Sequence, residues 1–217
     1  MHASDTLMFR EAHESADVVA RQFAANERVV RELAETLRAQ PPRFVVTCAR
    51  GSSDHAAAYA KYVFETQLGI VTTSASPSVT SVYAAPQQWQ GALFIAISQS
   101  GKSPDLVRNA QAAKAAGARV VAMVNVEDSP LAAIADTVIP LHAGPERSVA
   151  ATKSYLAALA AILQLCAHWH GDTRLVAALE ALPEALRKGW DADWSALSDG
   201  LVDAHNLFVV GRGFGLG

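Results

Sequence analysis

The stretch "ALFIAISQSGKSPD", Ala92 to Asp105, decides the fold. Its first six residues, Ala92 to Ile97, form an unbroken apolar run of strand length, and Ser103-Pro104 reads as a helix N-cap followed by the first helical residue. Between them stand Ser98, Gln99, Ser100, Gly101, Lys102 and Ser103, crowded with hydroxyl, amide and N–H groups. A buried strand that empties through a short polar turn into a helix is the unit from which parallel α/β sheets are built.

The same unit recurs on either side. Phe44 to Cys48 is a short β-branched run, followed by Ala49-Arg-Gly-Ser-Ser53 and an Ala-rich helix to about Leu68. Gly69 to Thr73 reads as the next strand. The helix that opens at Ser103 ends near Ala116 at Gly117, and strands follow at Ala118–Val124 and Asp136–Pro140. The runs are continuously apolar rather than alternating, as expected of a sheet covered on both faces. The fold class is therefore α/β, a three-layer sandwich with a five-stranded parallel sheet flanked by helices.

Before the first strand, Phe9, Ala12, Ala16, Val19, Phe23, Asn26, Val30, Leu33 and Leu37 recur at steps of three and four, one helix stripe ending before Pro41-Pro42. Asn26 is the one polar residue on it. A seam Asn can fix coiled-coil register, but two alanines weaken such a seam. A helix that wraps its own domain or a partner subunit, broken midway or not, is the better reading. After the fifth strand a long helix is expected from about Ser148, with Tyr155, Leu156, Leu159, Ile162, Leu163, Cys166 and Trp169 on one face. Shorter helices should follow at about Thr173–Lys188 and Asp191–His205, then a strand at Leu207–Val210 and a Gly-rich turn. "FVVTCARG" (44–51) and "FVVGRG" (208–213) are alike, which reads as the opening of a repeated domain. The organisation expected is a helical segment over 1–40, a sheet domain over 41–170, a helical linker over 171–205 and the start of a second, truncated domain over 206–217.

Composition sets bounds. The chain has 217 residues, 51% of them hydrophobic, and a net charge of −3, which argues against a general nucleic-acid binder. No apolar run is long enough to span a membrane and no secretory signal opens the chain, so the expectation is a soluble cytoplasmic protein. Cys48 and Cys166 read as buried free thiols, and no spacing argues for a metal. His142 falls on a loop after the fifth strand, and His168 and His170 suit a helix C-terminus. Gly211-Arg-Gly-Phe-Gly215 lacks the helix and acidic residue a dinucleotide loop needs.

Ligands of open parallel sheets bind at the C-terminal ends of the strands, where helix N-termini offer unpaired N–H groups and a partial positive charge. Ser98 to Ser103 occupies such a position, and its hydroxyls and Gln99 can donate to phosphate oxygens. Ser52 and Ser53 open their own helix and can face the same crevice. Gly51-Ser-Ser53, Ser98-Gln-Ser-Gly-Lys-Ser103 and Glu146-Arg-Ser-Val-Ala-Ala-Thr-Lys153 together resemble the three signature blocks of the sugar isomerase (SIS) domain family. The resemblance runs over nearly the whole chain. It is strongest to the isomerase part of glutamine–fructose-6-phosphate aminotransferase (glucosamine-6-phosphate synthase) and to the SIS-type glucosamine-6-phosphate deaminases. Met8-Phe-Arg-Glu-Ala-His-Glu14 is similar to the Met-x-x-Glu-Ile-x-Glu opening of those modules.

The resemblance implies that Ser53, Ser98, Gln99, Ser100 and Ser103 hold a sugar phosphate. Ser52, Val149, Ala150 and Ala151 would line the sugar, with Thr152 and Lys153 nearby and Glu146 structural. It implies fructose 6-phosphate or glucosamine 6-phosphate as ligand, no metal or nucleotide cofactor, no nucleic acid or membrane partner, and a homodimer. The implied chemistry is aldose–ketose isomerisation or deamination of an amino-sugar phosphate. Its catalytic residues are unknown here, being expected mainly in a second SIS domain that this chain lacks. The pattern departs in having Lys102 and Ser103 where Glu and Thr are usual, and in having His2 where the synthase carries a glutaminase cysteine, so ammonia would not come from glutamine in the synthase way. The alternative from another class is a non-catalytic sugar-phosphate sensor or regulator. Regulators commonly place a helix-turn-helix before the SIS domain, where this chain has a single helical stripe.

Overall fold

The computed structural model describes residues 3–216, and Met1, His2 and Gly217 lie outside them. A short 3-10 turn, Ala3–Asp5, leads into helices α1 (Leu7–His13) and α2 (Ser15–Ala39), followed by β1 (Phe44–Cys48), α3 (Ser52–Leu68), β2 (Thr72–Ser74) and α4 (Pro77–Ser81). Then come β3 (Ala92–Ser98), α5 (Pro104–Ala115), β4 (Arg119–Val124), α6 (Pro130–Ile134), β5 (Thr137–Pro140) and α7 (Lys153–His170). Helices α8 (Thr173–Glu180), α9 (Leu182–Trp190) and α10 (Ser195–Leu201) and a 3-10 turn at Gly213–Leu216 complete the chain.

The five strands form one parallel sheet in the order β2-β1-β3-β4-β5. Successive side chains along each strand serve opposite faces. Val45, Leu93, Ile95, Ile97, Val121, Met123 and Ile139 join the core under α2, α3 and α7. Val46, Cys48, Phe94, Ala96, Val120, Ala122 and Val124 join a second core under α5 and α6. That is the three-layer sandwich expected from the sequence, and both cysteines are buried free thiols.

The expected N-terminal stripe is helical, but it breaks at Glu14 rather than midway. α2 packs against α7 and β5 of its own domain. Asn26, 1% exposed, is the reason for the polar position: its Nδ2 donates to Pro140 O at 2.7 Å, and its Oδ1 lies 3.2 Å from His142 Nε2. An interior carbonyl at the end of β5 is satisfied this way, and coiled-coil register plays no part. Gln22 and Gln164 serve the same packing by donating to Ala157 O and Phe23 O, each at 3.0 Å.

Five boundaries differ from those expected, one of them α10, which covers Ser195–Leu201 rather than about Asp191–His205. β2 starts at Thr72, because Gly69 is the left-handed cap of α3 and Val71 is exposed. α7 starts at Lys153, and residues 148–152 form a loop. Its buried face is broader than the stripe read from the sequence, since Ala157, Ala158, Ala160 and Ala161 are buried between α2 and α3 while Tyr155, Leu156, Leu159 and Leu163 are half-buried. The helix read over 173–188 is two helices meeting at Ala181, because Pro183 has no N–H to continue the first. Leu207–Val210 is fully exposed and forms no strand, having no ladder to join among the described residues. No described helix is long and apolar enough to cross a membrane.

Candidate functional site

In the strand order 2-1-3-4-5 the chain winds one way from β1 to β2 and the other way from β3 to β5. The crevice lies where the winding reverses, between the C-terminal ends of β1 and β3. Its two walls are the turn Ala49–Gly51 and the turn Gln99–Ser103. Cys48 of β1 pairs in register with Ala96 of β3, which sets the two exits side by side.

The β1 turn ends at Gly51, the N-cap of α3, with φ +58° and ψ −135°, a conformation that L side chains rarely adopt. Ser52 (exposed) and Ser53 (half-buried) form the first turn of α3. Arg50 crosses to the other wall and pairs with Asp105 in the first turn of α5 at 2.9 Å. Asp105 also caps α5 by accepting from Leu106 N at 3.0 Å. The ion pair neutralises a carboxylate that would otherwise repel an anion at that helix end. Cys48, at the floor, is no nucleophile: burial, with Asp105 and Asp54 adding negative charge, pushes its thiol up to about 12.

The β3 turn is held partly by its own residues. Buried Ser98 Oγ accepts from Gly101 N at 3.1 Å, and Ser100 Oγ accepts from Lys102 N at 3.3 Å. A hydroxyl that accepts a backbone bond keeps its own proton to donate, so both serines can still donate to an anion. Gln99 O and Gly101 O accept from Asn125 N and Leu131 N, each at 3.1 Å, which pins the turn toward β4 and away from the crevice. Gly101 has φ +62°, and a Cβ there would lie 2.2 Å from Ser129 Oγ and 2.7 Å from Ser129 Cβ. Ser103 is the N-cap of α5 with Pro104 at N1, as read from the sequence, but its side chain makes no cap bond. Its hydroxyl is therefore uncommitted beside the α5 N-terminus.

Val149, Ala150 and Ala151 stand on a different loop, between β5 and α7, and all three are exposed. α3 and α7 pack side by side on one face, and each follows a strand of the parallel sheet, so their N-termini, Ser52 and Lys153, open at the same rim. The loop is fastened at both feet. Glu146 Oε1 accepts from Thr152 N at 2.8 Å and Ser154 N at 3.3 Å, and Oε2 accepts from Ser154 Oγ, so this carboxylate caps α7. At the other foot buried Glu11 accepts from Arg147 N at 2.7 Å, Ser148 N at 3.0 Å and Ser148 Oγ. These bonds, the Ser148 hydroxyl first, hold its carboxyl down to about 2. Lys153, 2% exposed, pairs with Glu14 at 2.6 Å.

Sequence reasoning noted Glu11 and Glu14 only as part of the Met8–Glu14 opening and gave them no part in the site. The signal was present, since two carboxylates at i, i+3 share a helix face. Their partners lie 136 to 139 residues away, which no local pattern reveals. His142 is on a loop, as expected, held by Asn26. Among the described residues no cluster of three or more His, Cys, Asp or Glu is arranged for a metal. A cavity of about 840 Å³ lies elsewhere, among Phe9, His13, Trp190 and Trp194 with Asp17, Arg187, Asp191 and Asp193. Arg187 pairs there with Asp17 at 2.7 Å, and Asp191 and Asp193 leave the cavity lining with more carboxylates than guanidinium groups.

The fold and this rim define a class: parallel α/β domains that place serine-rich turns and helix N-termini at a topological switch point. The chain belongs to the SIS domain family, whose model matches residues 40–167. It is 35% identical over 183 residues to glutamine–fructose-6-phosphate aminotransferase [isomerizing] of Thermotoga maritima, covering 79% of this chain and 29% of that protein. It is 34% identical over 212 residues to the enzyme of the same name from Methanothermobacter thermautotrophicus, covering 97% of this chain and 35% of that protein. The chain thus spans about a third of the length of these curated relatives. Among solved structures, a candidate phosphosugar isomerase from Silicibacter pomeroyi DSS-3 superposes with a TM-score of 0.93 at 43% identity, over 96% of this chain and 64% of that one. The C-terminal domain of glucosamine-fructose-6-phosphate aminotransferase from Francisella tularensis shares the fold, with a TM-score of 0.78 at 21% identity over 99% of this chain and 65% of that one.

Proposed function

We propose that this chain binds a sugar phosphate at the β1/β3 rim and belongs to an amino-sugar-phosphate isomerase or deaminase. The ligand is glucosamine 6-phosphate or fructose 6-phosphate. The observation that carries the reading is the β3 turn, where Ser98 and Ser100 keep donor protons free and Ser103 leaves its hydroxyl unused at the α5 N-terminus. Gln99 and Ser53 complete the phosphate set, and Ser52, Val149, Ala150 and Ala151 face the sugar. The relatives named as aminotransferases support the substrate class. Leu207–Val210, strand-like in composition yet unpaired, supports reading 206–217 as the opening of a second SIS unit.

Binding and chemistry are separate in this reading. Isomerisation needs a base within about 3 Å of the proton it moves. Glu146, the carboxylate beside the sugar-lining block, is engaged by Thr152 and Ser154. Residues 1–217 should therefore bind the ligand and turn over none. Each charge-assisted bond contributes about 1.5–3 kcal/mol, so Ser100→Ala or Ser103→Ala should weaken fructose 6-phosphate binding roughly tenfold or more in calorimetric titration. Unchanged affinity in both variants would sink the phosphate assignment. Ammonia release from glucosamine 6-phosphate by this chain, abolished in Glu146→Gln, would move the base into this domain.

The protein is also read as a cytoplasmic homodimer. Leu7, Met8 and Phe9 expose apolar surface along α1, as contact surfaces do. Light scattering at tens of micromolar should give twice the chain mass, and a monomer mass would refute this.

A further inference from the structure

We propose that Glu11 is a positioning residue for the rim, holding residues 146–152 in place so that a sugar phosphate, but not phosphate alone, is bound well. The inference rests on the sugar-lining role given above to Val149, Ala150 and Ala151. Those three residues are exposed, so little packing fixes them. Their placement depends on the two feet of the loop, and on Ser148 Oγ, which lies 3.0 Å from Ala150 O as well as against Glu11. One foot is set locally, by Glu146 capping α7. The other foot has no such local partner for its consecutive amides. The N–H groups of Arg147 and Ser148 both point at Glu11, at 2.7 and 3.0 Å. Successive amides turned to one side form a concavity suited to a single carboxylate.

The clamp is tied to the rest of the chain. One turn further along, Glu14 takes buried Lys153 at 2.6 Å, so the α1–α2 joint grips the loop at its near foot and at the start of α7. Glu11 touches neither crevice wall, and the β3 turn is fastened without it. Losing Glu11 should therefore free the sugar side of the rim and spare the phosphate side.

The test is calorimetric titration of the chain with fructose 6-phosphate and, separately, inorganic phosphate, with hydrogen exchange read at the amides of residues 147–151. In Glu11→Gln the amide group cannot accept from both N–H groups as a carboxylate does. Fructose 6-phosphate should then bind roughly tenfold more weakly and the loop amides exchange at least about tenfold faster, while phosphate affinity stays within about twofold. Ser148→Ala, which removes the hydroxyl contacts to Glu11 and to Ala150 O, should lose roughly threefold on the sugar phosphate alone, and Ser148→Thr should restore it. If Glu11→Gln does not fold, the Ser148 pair decides. Equal losses for both probes would show general damage and overturn the inference. So would unchanged fructose 6-phosphate affinity, or unchanged exchange at Arg147 and Ser148, and either leaves the phosphate site standing. A wild-type chain that binds neither probe removes the site itself, and this inference with it.

Discussion

The loop after β3 and the loop after β5 both run to helix N-termini at one rim, and they differ in which side chains hold them. The first is fastened partly from within, its serine hydroxyls accepting from amides two and three residues away, and partly by the amides of Asn125 and Leu131, which donate to Gln99 O and Gly101 O. The second takes one fastening from Glu146 and the other from Glu11, 136 residues earlier in the chain. Phosphate is the same in every sugar phosphate, and a rigid cradle, set by its own serines and by the β4 side of the sheet, suits it. The sugar differs between ligands, and the loop read as facing it is the one whose position other helices adjust. Local fastening also makes a site visible in sequence, whereas borrowed fastening hides it.

The contrast breaks most directly at Gly101. The left-handed glycine at the centre of the β3 turn is its weak point. Gly101→Ala would put a non-glycine residue at φ +62° and a methyl group 2.2 Å from Ser129 Oγ. Strain and overpacking together should cost about 3 kcal/mol, read as a fall in urea midpoint at constant slope. Adding Ser129→Gly removes the obstructing side chain and not the backbone strain, so the double variant should recover part of the loss. Full recovery would show that φ at Gly101 is unimportant.

Asn26 probes the other loop. It is buried, and it donates to Pro140 O just ahead of the β5 loop. Asn26→Leu keeps the volume and makes the α2 stripe wholly apolar. On hydrophobic pattern alone that change should stabilise. Leaving an interior carbonyl unpaired should instead cost about 2 kcal/mol in chemical denaturation. A neutral or stabilising result would mean that the end of β5 does not depend on α2.

The same division explains what was legible in the sequence. β1, β3, β4 and β5 were readable because strands buried on both faces are continuous apolar runs, and the two walls of the crevice because glycine and serine at helix starts have local causes. β2 was misplaced by three residues, since Val71 is apolar yet exposed beyond the start of the strand. The start of α7 was placed five residues early, because the cap that moves it to Lys153 is the side chain of Glu146 and helix propensity cannot register a side-chain cap. Leu207–Val210 has strand composition and no strand partner. A ladder is a tertiary fact, and composition alone does not supply one. Asn26, Glu11 and Glu14 were visible as oddities on helices, and their purposes lay across the fold.

The smallest effect expected is a pH dependence that isolates the borrowed clamp. Glu11 is held down from 4.5 to about 2, first by the Ser148 hydroxyl and then by the amides of Arg147 and Ser148. Between those values the unfolded chain binds a proton at this position and the folded chain does not. Stability therefore rises with pH across that window. Above 4.5 the contribution is fully present, and it is lost as pH falls toward 2. Asp172 is also held down to about 2, but by neighbouring Arg174, so acid titration of the wild type alone mixes a local pair with the distant one. The difference between wild type and Glu11→Gln removes the local part. Denaturation midpoints of the two chains should lie furthest apart above pH 4.5 and converge as pH falls toward 2. A gap that stays constant from pH 6 to pH 2 would show that the loop foot is held by shape rather than by the charge of Glu11.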